Sequence, residues 1–259
     1  MKSKYDIGFI CQFALDDFKT KYAGSLLGFI WAFLQPAVTV VIYWFVFQIG
    51  FGNEAVNNVP FIIWLVSGLL PWFFVSDAIN NSTASLVEYS YLVKKVVFNI
   101  DILPLARIIS VLFIQLFLLV VAIVLSIVYG VMPSVYWLQI VYYMLYMVII
   151  CTGIAYFTSA LYVFFKDTIQ VVAIILQVFF WGTPIVWQMK VMPEHIQTIL
   201  RYNPLYYITN GYRDALVNHK WFVEYPIGDV LYYWFVAFVV LGIGMYTFKK
   251  LKQHFADVL

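Results

Sequence analysis

The chain has 259 residues, 64% of them hydrophobic and 11% charged. That is too few polar side chains to cover a water-soluble globule, so the composition points to an integral membrane protein. A net charge of +2 says little by itself, no nucleic-acid partner is expected, and Cys11 and Cys151 imply neither a disulfide framework nor a metal site.

In chain order, Ile7, Ile10, Cys11, Ala14 and Phe18 follow helical spacing within residues 4–22, which predicts an amphipathic helix lying in the headgroup plane. Its N-terminus lacks the apolar core and cleavage site of a signal peptide and is expected to belong to the mature protein. A glycine-containing corner at residues 24–28 precedes a first span, residues 26–49, long enough to cross a hydrocarbon layer of about 30 Å. A second span is expected from residue 60 to about 78, with Gly68 and Pro71 inside it.

Residues 82–107 then break the apolar sequence. Ser85 and Glu88 have the spacing of a capping box, and Leu86, Tyr89, Val93 and Val96 recur on one helical face. This predicts an amphipathic helix outside the membrane, carrying Lys94 and Lys95 near its C-terminal end. One reading is a loop resting on lipid headgroups; the sharper one is a lever that docks into a soluble partner. Pro104 permits a third span, from about 103 to 129, and a fourth follows from about 135 to 163. Asp167 is placed to cap a fifth, 169 to about 187, which Trp181-Gly182-Thr183-Pro184 interrupts early. Pro193-Glu194 opens a short helix through about residue 201, and Asn203-Pro204 separates it from a second at 206–217. Both are too short to span, so they are expected to dip into the membrane or lie on its outer surface. The sixth span covers about 228–248.

Lysines and arginines flank the N-terminal segment, the 82–107 stretch, the fourth turn and the C-terminal tail, while the short loops at 50–58 and 130–135 hold none. This puts both termini in the cytoplasm. No ionisable residue falls near the centre of an expected span, which argues against ion coupling. Gln35, Gln48, Gln115, Gln139 and Gln177 are expected chiefly as helix-to-helix hydrogen-bond partners. No phosphate-cradling glycine loop is present, and His195, His219 and His254 are scattered, so unaided ATP hydrolysis and catalysis find no candidate residues. Among the 24 Phe, 20 Tyr and 9 Trp, Trp31, Tyr43, Trp44, Phe47, Trp72, Phe73, Trp181 and Trp187 could wall a pathway along which a sugar chain slides. Ordinary packing and an interfacial belt are the competing reading.

The series KYAGSLLGFIWAFLQP, VSGLLPWFF, LVKKVVFNIDILPL, FFKD, FFWGTPIVW and YNPLYYI resembles the membrane subunit of ABC-2 type polysaccharide exporters, the permeases for O-antigen, capsule and teichoic acid, over nearly the whole chain. The resemblance implies one transmembrane domain over residues 1–259: six membrane helices, an N-terminal interface helix, a cytoplasmic coupling helix between spans two and three, and short gate helices between spans five and six. It also implies a second copy of the chain and two copies of a separate ATPase that binds ATP and Mg, in the bacterial cytoplasmic membrane. Glu88, Tyr89, Lys94 and Lys95 would receive the ATPase stroke. Lys19, Lys21 and Tyr22 would meet the pyrophosphate of a polyprenyl-linked glycan, with attraction to anionic lipid as the competing role for these lysines. Where the family often has a proline and a basic residue after VKK, this chain has Asn99-Ile100-Asp101. The expected function is export of a lipid-linked polysaccharide; the rivals are an ABC-2 permease for lipid or drug and a membrane-embedded glycosyl- or acyltransferase.

Overall fold

The computed structural model describes residues 7–22, 26, 28–52, 55–57, 59–94 and 99–259, with the backbone alone at 7, 21, 22 and 256. Among the described residues every extended element is helical, and the only pairing of strand type is an isolated bridge between Val56 and Val59. Among the described residues five helical stretches are long and apolar enough to cross a membrane: Gly28–Gly50, Phe61–Glu88, Ile102–Val128, Val135–Phe164 and Ile227–His254. The expected fifth span is a shorter apolar helix, α7 (Thr168–Gly182). Its 15 residues reach about 22 Å.

α1 (Ile7–Tyr22) turns Ile10, Ala14 and Asp17 inward, against Ile102 and Ala106 of α5 (Ile102–Val128). α2 (Trp31–Trp44) begins with a 3-10 turn and ends in a π-helical stretch, Phe45–Gly50. α3 (Phe61–Glu88) is the most buried of the long helices and packs on α5 and on α6 (Ile140–Phe164). α10 (Ile227–Leu251) lies along α6, and the tail ends in the short helix α11 (Phe255–Val258).

The expected capping box at Ser85 and Glu88 does not form. α3 runs unbroken through both residues, and the Ser85 hydroxyl donates to the Ser82 carbonyl at 2.7 Å. The polar run from Ser76 to Ser85 looks like an interruption in sequence, but its side chains are satisfied within the helix and across it. Asn81 and Thr83 donate to the carbonyls of Asp77 and Ile79, Thr83 also bonds Thr158 at 2.7 Å, and Ser82 reaches the Pro104 carbonyl. Small hydroxyl and amide groups that bond nearby carbonyls let a helix continue in a dry environment. In place of one amphipathic helix, residues 82–107 form the end of α3, a break at Tyr89, the four-residue α4 (Ser90–Val93) and the start of α5. Leu86, Tyr89 and Val93 still share one inward cluster; Lys95 and Val96 lie outside the described residues.

Asp167 does not cap α7 through its side chain. The Thr168 hydroxyl instead donates to the Phe165 carbonyl at 2.7 Å. As expected, the helix stops at Gly182. Beyond it come α8 (Glu194–Arg201), exposed, and α9 (Pro204–Arg213), whose first turn is capped by the Asn203 side chain on the Leu205 amide. α9 is largely buried and packs on α3 and α6.

α6 and α10 meet at two glycines. A Cβ on Gly244 would lie 2.0 Å from the Gly153 carbonyl oxygen, and one on Gly153 would lie 2.6 Å from backbone atoms of Leu241. Such backbone contact needs small residues on both helices. Gly244→Val should therefore force the helices apart, at a cost of about 1–3 kcal/mol or more, read as a lower thermal midpoint in detergent. Gly242→Val, where an added Cβ meets nothing, should leave the midpoint unchanged.

Candidate functional site

α1 and the tail helix α11 meet at one end of the bundle, and four charged or hydroxylated side chains converge there. Asp17 of α1 is 5% exposed and Arg107 of α5 is 8% exposed. The Arg107 guanidinium lies 3.4 Å from the Asp17 carboxylate, pairs closely with Glu88 at the end of α3, and stands 5.1 Å from the centre of the Tyr89 ring. The Tyr89 hydroxyl donates to Asp17, and Phe13 of α1 packs on the same ring at 5.4 Å. Burial, and next the bond to Asp17, hold the Tyr89 phenol above its ordinary pKa. It therefore stays protonated and keeps donating.

This cluster joins two residues expected at the coupling surface, Glu88 and Tyr89, to two the sequence reading left out, Asp17 and Arg107. Lys94 is exposed just beyond α4, and Tyr91 is 58% exposed beside it. A second tie holds the segment from behind. Lys252 of the tail pairs with Asp101, the Tyr156 hydroxyl donates to the Asp101 carbonyl, and Phe255 is fully buried in the cluster containing Leu86 and Val93. Of the expected headgroup residues, Lys19 is exposed; Lys21 and Tyr22 lie in the last turn of α1 with side chains outside the described residues.

The expected ring-bearing positions separate into groups. Tyr43, Trp72, Phe73 and Trp181 line one cleft of about 340 Å³ between α2, α3 and α7, with Thr39, Ser76, Asn80 and Gln177 supplying polar groups. Phe180, not among the expected positions, joins them: its ring lies 5.7 Å from Tyr43, 5.2 Å from Trp72 and 5.2 Å from Trp181. Phe47 and Trp187 line a neighbouring cleft of about 250 Å³ with Phe61 and Trp64. Trp31 lines neither and is 48% exposed. Trp44 faces an apolar groove between α2, α3 and α5. The walls of the 340 Å³ cleft carry hydroxyl, amide and ring groups and no carboxylate, lysine, arginine or histidine. Of the five glutamines Gln115 acts as expected, donating from α5 to the Tyr212 hydroxyl of α9 at 3.4 Å, while Gln139 instead bridges the Lys220 carbonyl and the Phe222 amide in the segment before α10.

Toward the opposite end, Arg213 is buried in α9, the second of the two short helices. Its guanidinium donates to the carbonyls of Pro184 and Ile185 and stacks 3.7 Å from the centre of the Trp64 ring. Gly68 leaves room for it: a Cβ there would come within 2.6 Å of the guanidinium.

The chain matches the model of the family described as ABC-2 type transporter over residues 10–217. It is 29% identical to an O-antigen export system permease protein RfbA of Klebsiella pneumoniae over 264 residues, covering 100% of this chain and 99% of the relative. It is 23% identical to RfbA of Myxococcus xanthus, covering 96% and 95%. The polysialic acid transport protein KpsM of Escherichia coli is 22% identical, covering 78% and 79%.

Removing Arg107 would leave the Asp17 carboxylate buried without its cation. Arg107→Ala should cost about 3–5 kcal/mol and free α1 to proteolysis, both measurable on the purified protein. The Glu88 side chain is 55% exposed, so Glu88→Gln should cost no more than about 1 kcal/mol.

Proposed function

Because the chain belongs to the ABC-2 type transporter family, we propose that it is the membrane permease of an ATP-driven exporter of a lipid-linked polysaccharide. The observation that carries this reading is the end-to-end match to O-antigen export permeases, 100% of this chain against 99% of the relative. In this reading two copies form the pathway, each paired with one copy of a separate ATPase that binds ATP and Mg. α2 and α7 suit the contact between copies, because both are apolar and only thinly covered by the rest of the chain.

α7 serves as the sixth crossing, completed by the covered segment after Gly182. Both termini lie in the cytoplasm, on the side rich in lysine, and the membrane is the bacterial cytoplasmic one. The ATPase docks on the surface around Tyr89, Tyr91, Lys94 and Lys95. Its movement reaches the spans through the cluster of Asp17, Glu88, Tyr89 and Arg107. Lys19, Lys21 and Tyr22 take the pyrophosphate of the polyprenyl carrier, the lysines acting as point-charge partners for phosphate.

The cleft of Tyr43, Trp72, Phe73, Phe180 and Trp181 forms the wall along which the glycan moves. Sugar C–H faces slide on ring faces, while hydroxyl and amide groups exchange hydrogen bonds at each step. A wall without fixed charge holds a neutral polymer weakly at every position, which suits translocation better than one tight site. The energy must then come from nucleotide hydrolysis in the partner chain.

A deletion strain should accumulate polyprenyl-linked glycan inside the cell, and the cloned chain should clear it only together with its ATPase. Transport by the purified chain with no ATPase would defeat the reading. Tyr43→Ala and Trp72→Ala should each slow export about two- to tenfold, the equivalent of ~0.5–1.5 kcal/mol of ring contact, with the level of folded protein unchanged. The measurement is glycan delivered to the surface at matched protein amounts.

A further inference from the structure

A cavity of about 640 Å³ opens between α8, α9 and the first turns of α10, at the end of α10 away from the tail. It shares no lining residue with the cleft between α2, α3 and α7, and its volume falls in the range of small-molecule sites, about 300–1,000 Å³. Five tyrosines line it: Tyr202, Tyr206, Tyr225, Tyr232 and Tyr233. The rest of the lining is polar apart from Pro226 and Gly228, and no Leu, Ile, Val, Met or Phe takes part.

The walls are fixed without any ligand. The Tyr232 hydroxyl donates to the Tyr202 carbonyl at 3.0 Å, and the Tyr233 hydroxyl donates to the Arg201 carbonyl. Tyr202 and Tyr232 meet edge to face at 5.5 Å. The Tyr225 hydroxyl is held between the Asp214 carboxylate and the Asn210 amide, and Asp214, 2% exposed, also accepts from Asn218 at 2.7 Å. The Lys220 ammonium rests 4.3 Å from the centre of the Tyr225 ring. Arg201 and Asp229 stand exposed at the rim with no ion-pair partner among the described residues. Preformed walls lower the ordering cost of binding.

We propose that this cavity is a saccharide-binding site, separate from the export path, which takes a hexopyranose unit. A pyranose presents C–H groups on its faces and hydroxyls around its edge, and each hydroxyl both donates and accepts. Phenol faces match the first, and the mixture of guanidinium, ammonium, amide, carboxylate and threonine groups matches the second. Other ligand classes fit less well. A hydrocarbon chain calls for aliphatic walls like those of the groove between α2, α3 and α5, built from residues such as Val40, Val41, Ile62, Val66 and Leu70. A metal ion calls for clustered ligands, and the described residues contain no such group. A polyphosphate would meet the carboxylates of Asp214 and Asp229.

The site can be tested on the full chain in lipid nanodiscs, with saturation-transfer NMR and fluorescence titration. The probes are methyl hexopyranosides of gluco, galacto and manno configuration and the corresponding linear trisaccharides. At least one probe should bind saturably. Tyr202→Ala and Arg201→Gln, both at exposed positions, should each weaken it about tenfold. Ile199→Ala, on the exposed outer side of α8 and away from the cavity, should leave the affinity unchanged. A trisaccharide binding much more tightly than the hexoside would identify the ligand as a stretch of glycan chain; equal affinities would identify it as a single unit, and either result upholds the site. No saturable binding of any probe, or binding indifferent to both Tyr202→Ala and Arg201→Gln, would overturn it. The readout is sugar binding to the permease alone, so its failure would leave the export reading untouched.

Discussion

The guanidinium of Arg107 ties three separate pieces of chain together at one end of the bundle. An aspartate buried on the inward face of α1 is costly unless a cation meets it, since a lone carboxylate in a dry site carries a large desolvation penalty. Arg107 meets Asp17 while also holding Glu88 and covering the ring of Tyr89. α1 therefore docks on α5 and on the end of α3 at a fixed register. An interface helix that floated on the headgroups could not transmit a force. One locked to α5 through a buried pair moves with it.

α3 carries that constraint across the molecule. Glu88 lies at its last turn and Gly68 twenty residues earlier, a separation of about 30 Å along an unbroken helix. At Gly68 the same helix faces Arg213, the second buried cation. Under the proposed docking, a displacement imposed at the joint around Tyr89 would run along this packed helix toward Gly68, where Arg213 holds the carbonyls after α7. That joint is flanked on its other side by the Lys252 to Asp101 pair and the buried Phe255, so the segment after α3 is braced by both the N-terminal helix and the tail. The ion pair with Lys252 gives Asp101 a local structural role in that brace.

Much of this arrangement was legible in the sequence because hydropathy and helix-breaking residues report local physics. The helices expected near 103–129, 135–163 and 228–248 and the stop at Gly182 follow from such signals, whereas the second short helix, expected from residue 206, begins two residues earlier with Pro204 in its first turn. The start of the 82–107 stretch, expected outside the membrane, is the buried end of α3. Its hydroxyl and amide groups are instead spent on nearby carbonyls and on Thr158, contacts that depend on which helix lies alongside. The same limit hid the burial of Asp17, Arg107 and Arg213. Ring positions were legible as a set but not as a surface: Tyr43, Trp72 and Trp181 meet through Phe180, and which face of each helix points there is decided by packing alone.

Arg213 answers a problem created by the length of α7. A helix of 15 residues spans about 22 Å, less than a hydrocarbon layer of about 30 Å, so the irregular backbone after Gly182 needs partners that lipid cannot supply. The protein supplies them from α9 and its cap. Asn203 donates to the Thr183 hydroxyl at 2.8 Å, and the forked guanidinium of Arg213 serves two successive carbonyls while its face lies on Trp64. A lysine, as a point donor, could not hold two diverging carbonyls and stack on a ring at once. The short helix, the buried α9 and the gap at Gly68 are therefore parts of one solution. It leaves the segment that follows α7, residues 183–186, covered by protein at a depth where lipid could not pair its backbone.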